Sequence, residues 1–538
     1  MSEEDGAEAA AAARAAQDRC YRADLGIALA LAVCTAGLLC ATAGSIGLTY
    51  DEPNYISASA KAWTWAGLLA QAPLRAADPS LINGLWRQNH ERPGFIKLWW
   101  GGWMAVGSFL PPLVGSRLGT VVLVALLVAA VYLWVSRESG RGAALVAATT
   151  LLGMPRFFFH AHLAALDASV AVFCFLAAWL FWGLWREPRW GRAVLAGLAL
   201  GCAAGTKGNV LPAALALGLW WLVRERRAVT NTSLAALVVA PMWFFITWPW
   251  LWPAPLSRLL EYLAFHGKFP LLGAFIFGRM RDPAPAVTPI VMLLATTPLL
   301  TLALALFSGG EWRCPLWQFL ALNLAVHWLY FALPGQPRFN GVRLFLPAFP
   351  FLACLAGMGA AKAAEMGVGA LRRPQARRWA LAFVVALVGV VGLRNIALSH
   401  PYELAFYNCA VGGARGARRV GLETIYWGSA YLQALPYLNR NVPAGGSLFV
   451  TPVGVMSLLE TYQKGGMLRP DIRIVGGAGE HLAADLVVFQ CQQSEFVEVS
   501  SRLYGKGRPC FALTYEGVPL LLVYERAEVR RVFGAKGD

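Results

Sequence analysis

Apolar runs that are long enough to cross a lipid bilayer recur through the first 400 residues, and they restrict the chain to a membrane fold. An α-helix needs about 20 predominantly apolar residues to cross roughly 30 Å of hydrocarbon. Of the 538 residues, 57% are hydrophobic and only 14% are charged, whereas soluble domains carry about 25% charged residues. The deficit of charge predicts that most of the chain lies in a bilayer.

The apolar runs predict a polytopic α-helical protein with about eleven transmembrane helices. Their predicted limits are 25–47, 113–135, 142–159, 168–185, 192–206, 209–223, 232–250, 286–307, 316–333, 344–361 and 379–398. The acidic, Ala-rich residues 1–24 lack the features of a cleaved signal peptide, so we expect a short N-terminal tail before a retained first helix.

Basic residues in alternate short loops predict the orientation, because cytoplasmic loops are rich in Lys and Arg. These residues are Arg137, Arg141, Arg186, Arg189, Arg192, Arg224, Arg226, Arg227, Lys362, Arg372, Arg373, Arg377 and Arg378. The N-terminus is then cytoplasmic and the C-terminus extracytoplasmic, in a multi-pass protein of the cell (inner) membrane. The net charge of +16 follows from this topology, and no nucleic-acid partner is expected.

Residues 400–538 have a globular composition and predict a separate extracytoplasmic α/β domain. The segments SLFVTPVG, IRIVGG, DLVVFQ, CFALTY and VPLLLVYE have the pattern of short strands, and Glu516-Gly517 has that of a hairpin turn. We therefore expect a tail (1–24), a transmembrane domain (25–399) with a long outer loop (48–112), and this α/β domain.

Two adjacent carboxylates, Asp51 and Glu52, follow the first predicted transmembrane helix on its outer side. Acidic residues at a membrane boundary are costly and are usually functional. One of them can serve as a general base, removing a proton from an acceptor group. The alternative is that they cap the helix that begins near Ile56.

A second polar group, His160, His162 and Asp167, lies between the third and fourth predicted helices on the same side. Asp167 can face Asp51 across one cavity, with the histidines binding phosphate, sugar or metal. The alternative is that Asp167 caps the fourth helix. A divalent metal ion bound by Asp51, His160, His162 and Asp167 is therefore possible, and no other cofactor is predicted.

Basic residues on the outer side are candidates for binding a phosphate or sugar. Lys207 stands alone in GTKGN, where flanking glycine allows close approach to a ligand, although a lysine that merely reaches toward water is the alternative. Arg92 and Lys97 occur in NHERPGFIK, and Arg338 and Arg343 in PGQPRFNGVR. Outer loops should be poor in arginine, so these four are also candidates, one or two of them being surface charge.

Together these motifs resemble the GT-C membrane glycosyltransferases, in particular the protein O-mannosyltransferases and aminoarabinose (lipid A) transferases. The resemblance rests on Asp51-Glu52, on RPGFIK at 92–97, on HAHLAALD at 160–167 and on TKG at 206–208. At 92–95 this chain has Arg-Pro-Gly-Phe where the family tends to have His-Pro-Pro-Leu, with His90 or Arg92 as possible substitutes.

The resemblance implies an enzyme that transfers one sugar from dolichyl- or undecaprenyl-phosphate, with inversion, to an extracytoplasmic protein, glycan or lipid. It implies Asp51 as the catalytic base with Glu52 as its support, Asp167 as the second acid, and Lys207 as the contact of the carrier phosphate. The competing interpretation is a transporter or flippase, which would instead place ionisable residues near the bilayer midplane or show repeated halves.

Overall fold

The computed structural model describes residues 3–224, 231–368 and 374–534. Four of the arginines used to predict the orientation, Arg226, Arg227, Arg372 and Arg373, lie outside the described residues. All the other residues predicted to be functional are described.

Helices make up most of the first 400 residues. They are α1 (Glu3–Ala43), α2 (Glu52–Gln71), α3 (Pro73–Ala76), α4 (Pro79–Trp86), α5 (Phe95–Val106), α6 (Pro112–Ser139), α7 (Arg141–Leu152), α8 (Pro155–His160), α9 (Leu166–Arg186), α10 (Trp190–Ala204), α11 (Leu211–Arg224), α12 (Asn231–Ile246), α13 (Pro255–Gly267), α14 (Thr288–Thr296), α15 (Leu299–Phe307), α16 (Pro315–Leu329), α17 (Ala348–Val368) and α18 (Pro374–Ser399). Each of the eleven predicted apolar segments overlaps at least one of them.

One predicted segment, 286–307, is divided into α14 and α15, which meet at a bend of 103°. The break lies at Thr297-Pro298, where Thr297 is extended (φ −90°, ψ 135°). Proline lacks the N–H of a helical hydrogen bond and disfavours the helical conformation of the residue before it, which accounts for the break of this apolar run into two helices.

Four helices in the described part of the chain are long and apolar enough to cross a membrane: Cys20–Ala43, Pro112–Ser139, Leu166–Arg186 and Gln375–Ser399. The bent pair α14–α15 raises this number to five if it counts as one span, and four further apolar helices are shorter. In the most apolar stretches of α6 and α9, 72% of the residues are buried, against 17% in those of α1 and α18. Helices α6 and α9 therefore form the centre of the bundle, whereas α1 and α18 expose apolar surface.

The loop between α1 and α6, which the sequence predicts to be an outer loop, is itself helical and packs against a later loop. Helices α2 to α5 occupy most of it, and Trp65 and Trp86 form a buried cluster with Trp248 and Leu251 from the segment that follows α12. A short hairpin, β1 (Ala274–Ile276) and β2 (Arg279–Arg281), follows α13. The loop that contains α2 to α5 thus packs against the loop that follows α12.

The C-terminal region, residues 400–534, contains a five-stranded mixed sheet, whose strands lie in the five segments that the sequence predicts as strands. Its strands are β3 (Ser447–Val450), β4 (Arg473–Val475), β5 (Leu486–Gln490), β6 (Phe511–Tyr515) and β7 (Val518–Glu525), in the order β4-β3-β5-β7-β6. Strand β3 is parallel to its neighbours β4 and β5, and β7 is antiparallel to β5 and β6. The remaining helices are α19 (Gly413–Arg419), α20 (Tyr431–Asn441), α21 (Val455–Lys464), α22 (Glu498–Lys506) and α23 (Arg526–Gly534).

The predicted turn Glu516-Gly517 joins β6 to β7, and both of its residues have positive φ (49° and 72°), as a tight hairpin turn requires. The C-terminal region also contacts the loop that follows α1, because the N–H of Leu48 donates to the hydroxyl of Tyr462 at 2.6 Å. Helix α21 of this region thus lies against the part of the chain that leads to Asp51.

Candidate active site

Glu52 is buried at the first turn of α2 and forms an ion pair with Arg117 of α6. The side chains of both residues have no exposed surface. The carboxylate accepts from Nε and Nη2 of Arg117 at 2.9 and 2.8 Å, and from the backbone N–H groups of Thr49 at 2.9 Å and Ala164 at 3.0 Å. Such a bidentate ion pair, in which backbone N–H groups satisfy the remaining lone pairs of the carboxylate, holds the surrounding segments in one geometry.

Arg117 extends this network to the end of α1. Its guanidinium donates to three backbone carbonyls there, those of Ala43 and Ile46 at 2.7 Å and Gly47 at 2.9 Å. The sequence predicts Glu52 as a member of the catalytic pair that supports Asp51, and the structure places its carboxylate inside this buried network. Its contacts are those of a residue that positions the loop carrying Asp51.

Asp51 directs its side chain away from the helix that it precedes. It occupies the N-cap position of α2, but its side chain makes no capping hydrogen bond, so the helix-cap alternative does not describe it. Its Oδ2 atom instead accepts from Nη2 of Arg343 at 3.1 Å and from the indole Nε1–H of Trp427 at 3.0 Å. The side chain is 37% exposed, so this carboxylate is accessible as well as held.

Asp167 and Lys207 form a further ion pair, next to the pair of Asp51 and Arg343. Nζ of Lys207 donates to Oδ1 of Asp167 at 2.5 Å, and both side chains are buried. The other oxygen of Asp167, Oδ2, lies 3.5 Å from Nε of Arg343. Burial lowers the pKa of Lys207, although the neighbouring Asp167 acts in the opposite direction.

Arg343 joins the two carboxylates, because it contacts Asp51 through Nη2 and Asp167 through Nε. The loop before it turns sharply at Asn340 (φ 54°) and Gly341 (φ 62°). A Cβ atom on Gly341 would lie 2.6 Å from the ring of Tyr426, so this close approach requires glycine. The structure thus brings together four of the predicted residues, two with acidic and two with basic side chains, from four separate segments.

His160 adjoins this set, but His162 does not. Nε2 of His160 lies 3.4 Å from the hydroxyl of Tyr426, and its ring centroid is 5.5 Å from that of Trp427. Burial lowers the pKa of His160 to about 3, so its imidazole is neutral. His162 is hydrogen-bonded to the carbonyl of Phe158 and the hydroxyl of Thr42, both at 2.7 Å.

The predicted metal ligands are therefore not gathered at one point. Within residues 3–224, 231–368 and 374–534, no three His, Cys, Asp or Glu side chains are grouped so that they could hold a metal ion. The reason is visible in the pairing, since the two acids contact Arg343 and Lys207 and His162 belongs to the packing between α1 and α8.

The remaining predicted basic residues have different positions. Lys97 is buried and donates to the carbonyls of Asn89 at 2.5 Å and Arg92 at 3.0 Å, and burial lowers the pKa of Lys97 to about 7. It therefore supports the loop that carries Arg92. The guanidinium of Arg92 lies over the rings of Phe265 and Phe269, at 5.3 and 5.8 Å.

Arg338 holds its own loop together and does not reach the other charges. It donates to the carbonyl of Phe331 at 2.7 Å, to that of Ala284 at 3.0 Å and to that of Leu333.

His90, a possible substitute for the family's histidine, contacts Glu261 at 3.1 Å and packs on Trp250. Among the predicted residues, Arg338, His162 and Lys97 thus make contacts that stabilise loops and helix packing.

Sequence reasoning missed two residues of this site, Arg117 and Trp427. Arg117 had a visible signal, since it is a charged residue within the apolar run 113–135 and such residues usually have a specific partner. Trp427 had no local signal, because it is 376 residues from Asp51 in the chain.

Residues 104–252 match the sequence model of a family described as dolichyl-phosphate-mannose-protein mannosyltransferase. This part of the chain includes Arg117, His160, Asp167 and Lys207, but not Asp51, Arg343 or Trp427. No curated protein sequence matches the chain.

Among solved structures, the chain is similar to the crystal structure of ArnT from Cupriavidus metallidurans in the apo state. The TM-score is 0.51 at 15% identity, over 93% of this chain and 98% of that one. ArnT bound to undecaprenyl phosphate gives 0.48 at 15% identity, over 92% and 97%. The Archaeoglobus fulgidus oligosaccharyltransferase gives 0.46 at 12% identity, over 87% and 69%.

The family match and the fold shared with apo ArnT confirm the resemblance that the sequence motifs indicate. The chain has the fold of ArnT, in agreement with its resemblance to the GT-C type, and over residues 104–252 it carries the sequence pattern of the dolichyl-phosphate-mannose-protein mannosyltransferase family.

Proposed function

We propose that the protein is a membrane glycosyltransferase that takes a sugar from a polyprenyl-phosphate donor and transfers it to an extracytoplasmic acceptor. The observation that carries this proposal is the accessible carboxylate of Asp51 next to Arg343, with Lys207 held close by through Asp167. The family description names a dolichyl-phosphate sugar as donor, and the fold is that of ArnT. Both support a lipid-linked donor.

Each charged residue has a role that follows from its contacts. Glycosyl transfer from a phosphate carrier needs a base for the acceptor's proton and positive charge for the departing phosphate. Asp51 is the base. Lys207 and Arg343 stabilise the negative charge on the phosphate, and Asp167 keeps both cations in place.

The transfer is a single displacement with inversion at the anomeric carbon. The acceptor oxygen or nitrogen attacks this carbon, the bond between the carbon and the phosphate oxygen breaks, and the phosphate leaves with the electron pair. Asp51 receives the acceptor's proton, through Oδ1 because both of its contacts are made by Oδ2. Placing base and cations around one point supplies orientation as well as charge.

The proposal also includes a topology. About eleven crossings, a cytoplasmic N-terminus and an extracytoplasmic C-terminal region place Asp51, Asp167, Lys207 and Arg343 on the outer side of the cell (inner) membrane. This side is the one on which a protein, glycan or lipid acceptor would be met, and the contact between Asp51 and Trp427 supports placing the C-terminal region there.

The test is sugar transfer by the purified protein in lipid nanodiscs, with radiolabelled polyprenyl-phosphate sugars and candidate acceptors. Asp51→Asn should lower the rate of transfer by about 100-fold or more, because general-base catalysis contributes about 10²–10⁴-fold. The matched control is Asp78→Asn in the same outer loop. Asp78 caps α4 through Ser80 and Leu81, and Asn caps helices equally well, so transfer should not change.

Two outcomes would contradict the proposal. Transfer that survives Asp51→Asn would remove the base from the mechanism. If the wild type transfers no sugar from any donor but moves a lipid-linked or small polar substrate across vesicles, the protein is a transporter or flippase.

A further inference from the structure

One of the two contacts of Asp51 comes from the C-terminal region. The indole Nε1–H of Trp427 donates to Oδ2 of Asp51 at 3.0 Å, and Trp427 is buried, with 1% of its surface exposed. The guanidinium carbon of Arg343 lies over the same indole, 4.1 Å from the ring centroid, within the range of a cation–π interaction. A single side chain thus contacts both the proposed base and one of the proposed phosphate ligands.

The backbone at Trp427 has an unfavourable conformation. Its φ is 72°, in the left-handed region that bulky residues rarely adopt. Residues in such conformations persist only where the surrounding structure holds them, and they concentrate at functional sites.

Two hydrogen bonds hold this backbone in place. The N–H of Trp427 donates to Oε1 of Gln492 at 2.9 Å, and its carbonyl accepts from the N–H of Tyr50 at 3.2 Å. Gln492 follows β5 of the sheet, and Tyr50 directly precedes Asp51. The C-terminal region is therefore joined to the loop of the proposed base at the same residue that contacts the base.

We propose that Trp427 is a positioning residue of the active site, through which the C-terminal region completes the catalytic centre. This inference rests on the proposed glycosyl transfer. The indole N–H holds Oδ2 of Asp51, so that the carboxylate keeps one orientation toward the acceptor. The ring covers Arg343 and keeps water from one face of its guanidinium, where electrostatic interactions are stronger in the absence of water.

These two contacts can be removed separately. Trp427→Phe keeps an aromatic ring over Arg343 but has no N–H for Asp51, whereas Trp427→Ala removes both. Trp134→Phe is the matched control, because Trp134 is a buried tryptophan of α6 whose indole N–H has no hydrogen-bond partner among the described residues.

Trp427→Phe should lower kcat by roughly 10- to 100-fold, the effect of losing one hydrogen bond to a charged group, with KM for the donor within twofold of the wild type. Trp427→Ala should lower kcat as well and also raise the donor KM by about 3- to 30-fold, the range of a shielded cation–π contact. Trp134→Phe should change neither constant. A purely structural role of Trp427 would not separate kcat from KM in this way.

Binding of radiolabelled undecaprenyl phosphate to the same proteins in nanodiscs tests the second contact without any transfer. Trp427→Ala should weaken binding several-fold and Trp427→Phe should not. A wild-type kcat in Trp427→Phe, or equal carrier binding by wild type and Trp427→Ala, would overturn the inference. Absence of transfer in the wild type would instead overturn the proposed function, and carrier binding would still decide whether Trp427 shapes the site.

Discussion

Replacing Glu52 by Gln tests whether Glu52 positions the site while the neighbouring Asp51 takes part in the reaction. The Glu52 carboxylate is fully buried and accepts two hydrogen bonds from Arg117 and two from the backbone N–H groups of Thr49 and Ala164. In Glu52→Gln, an NH₂ group replaces one oxygen and faces groups that also donate, and Arg117 remains as a buried cation without its counter-charge. Removing one partner of a buried ion pair costs about 3–5 kcal/mol.

The expected change in melting temperature follows from the length of the chain. With an unfolding entropy of about 2.1 cal/mol/K per residue, 538 residues correspond to about 1.1 kcal/mol/K, so this loss lowers Tm by about 3–4 °C if the chain unfolds as one unit. Thermal unfolding in nanodiscs, followed by the fluorescence of the 22 tryptophans, measures this shift. Asp51→Asn, in contrast, should remove transfer and leave Tm unchanged, because Asp51 is partly exposed.

Glu187→Gln is the control for the loss of a carboxylate. Glu187 is 55% exposed and pairs with Arg189 and Arg192 at 3.3 and 3.1 Å. Exposed ion pairs contribute little, so Tm should fall by less than about 1 °C. If Glu52→Gln has the Tm of the wild type but has lost transfer, Glu52 acts in the chemistry and the positioning role is wrong.

Two further predictions concern the C-terminal region. Burial raises the pKa of Glu423 from its ordinary value of 4.5 to about 7, so the folded protein retains a proton that the unfolded chain releases. Wild type should therefore lose stability as pH rises from 4.5 to 7, and at pH 8 Glu423→Gln should be more stable by up to about 3 kcal/mol; an equal Tm difference at pH 5 and pH 8 would refute this. Gly428 has φ 79°, and a Cβ there would lie 2.4 Å from the Tyr50 ring, so Gly428→Ala should displace Tyr50 and lower kcat. Gly445→Ala is its control, because Gly445 has φ 66° and a Cβ there would meet no atom within 4 Å. This variant should lower only Tm, and equal kcat in the two variants would contradict a role of the contact between Gly428 and Tyr50.

Much of the fold could be predicted from local sequence patterns. Apolar runs indicated the helical segments, and short apolar segments bounded by turn residues indicated the five strands of the C-terminal sheet, because buried elements select apolar residues locally. The exception at Thr297-Pro298 shows the limit of a composition-based prediction, since the apolar character of 286–307 continues across the proline although the helix does not.

The candidate site was predictable only as a set of unusual residue types. Asp51, Asp167, Lys207 and Arg343 were selected because charged residues near a membrane are costly, and the structure brings these four together. The same criterion selected His162 and Arg338, which contact backbone carbonyls elsewhere, because residue type alone does not show which partner a polar side chain has.

The sequence by itself determined which segments are apolar enough for helices, where the strands occur and which charged residues need a partner. Only the tertiary structure decided the pairing: Glu52 with Arg117, Asp167 with Lys207, and Asp51 with both Arg343 and Trp427. The physical reason is distance along the chain. Burial preference acts on each residue in its own helix or strand, whereas these hydrogen bonds join residues that are 40 to 376 positions apart and depend on how all the elements pack.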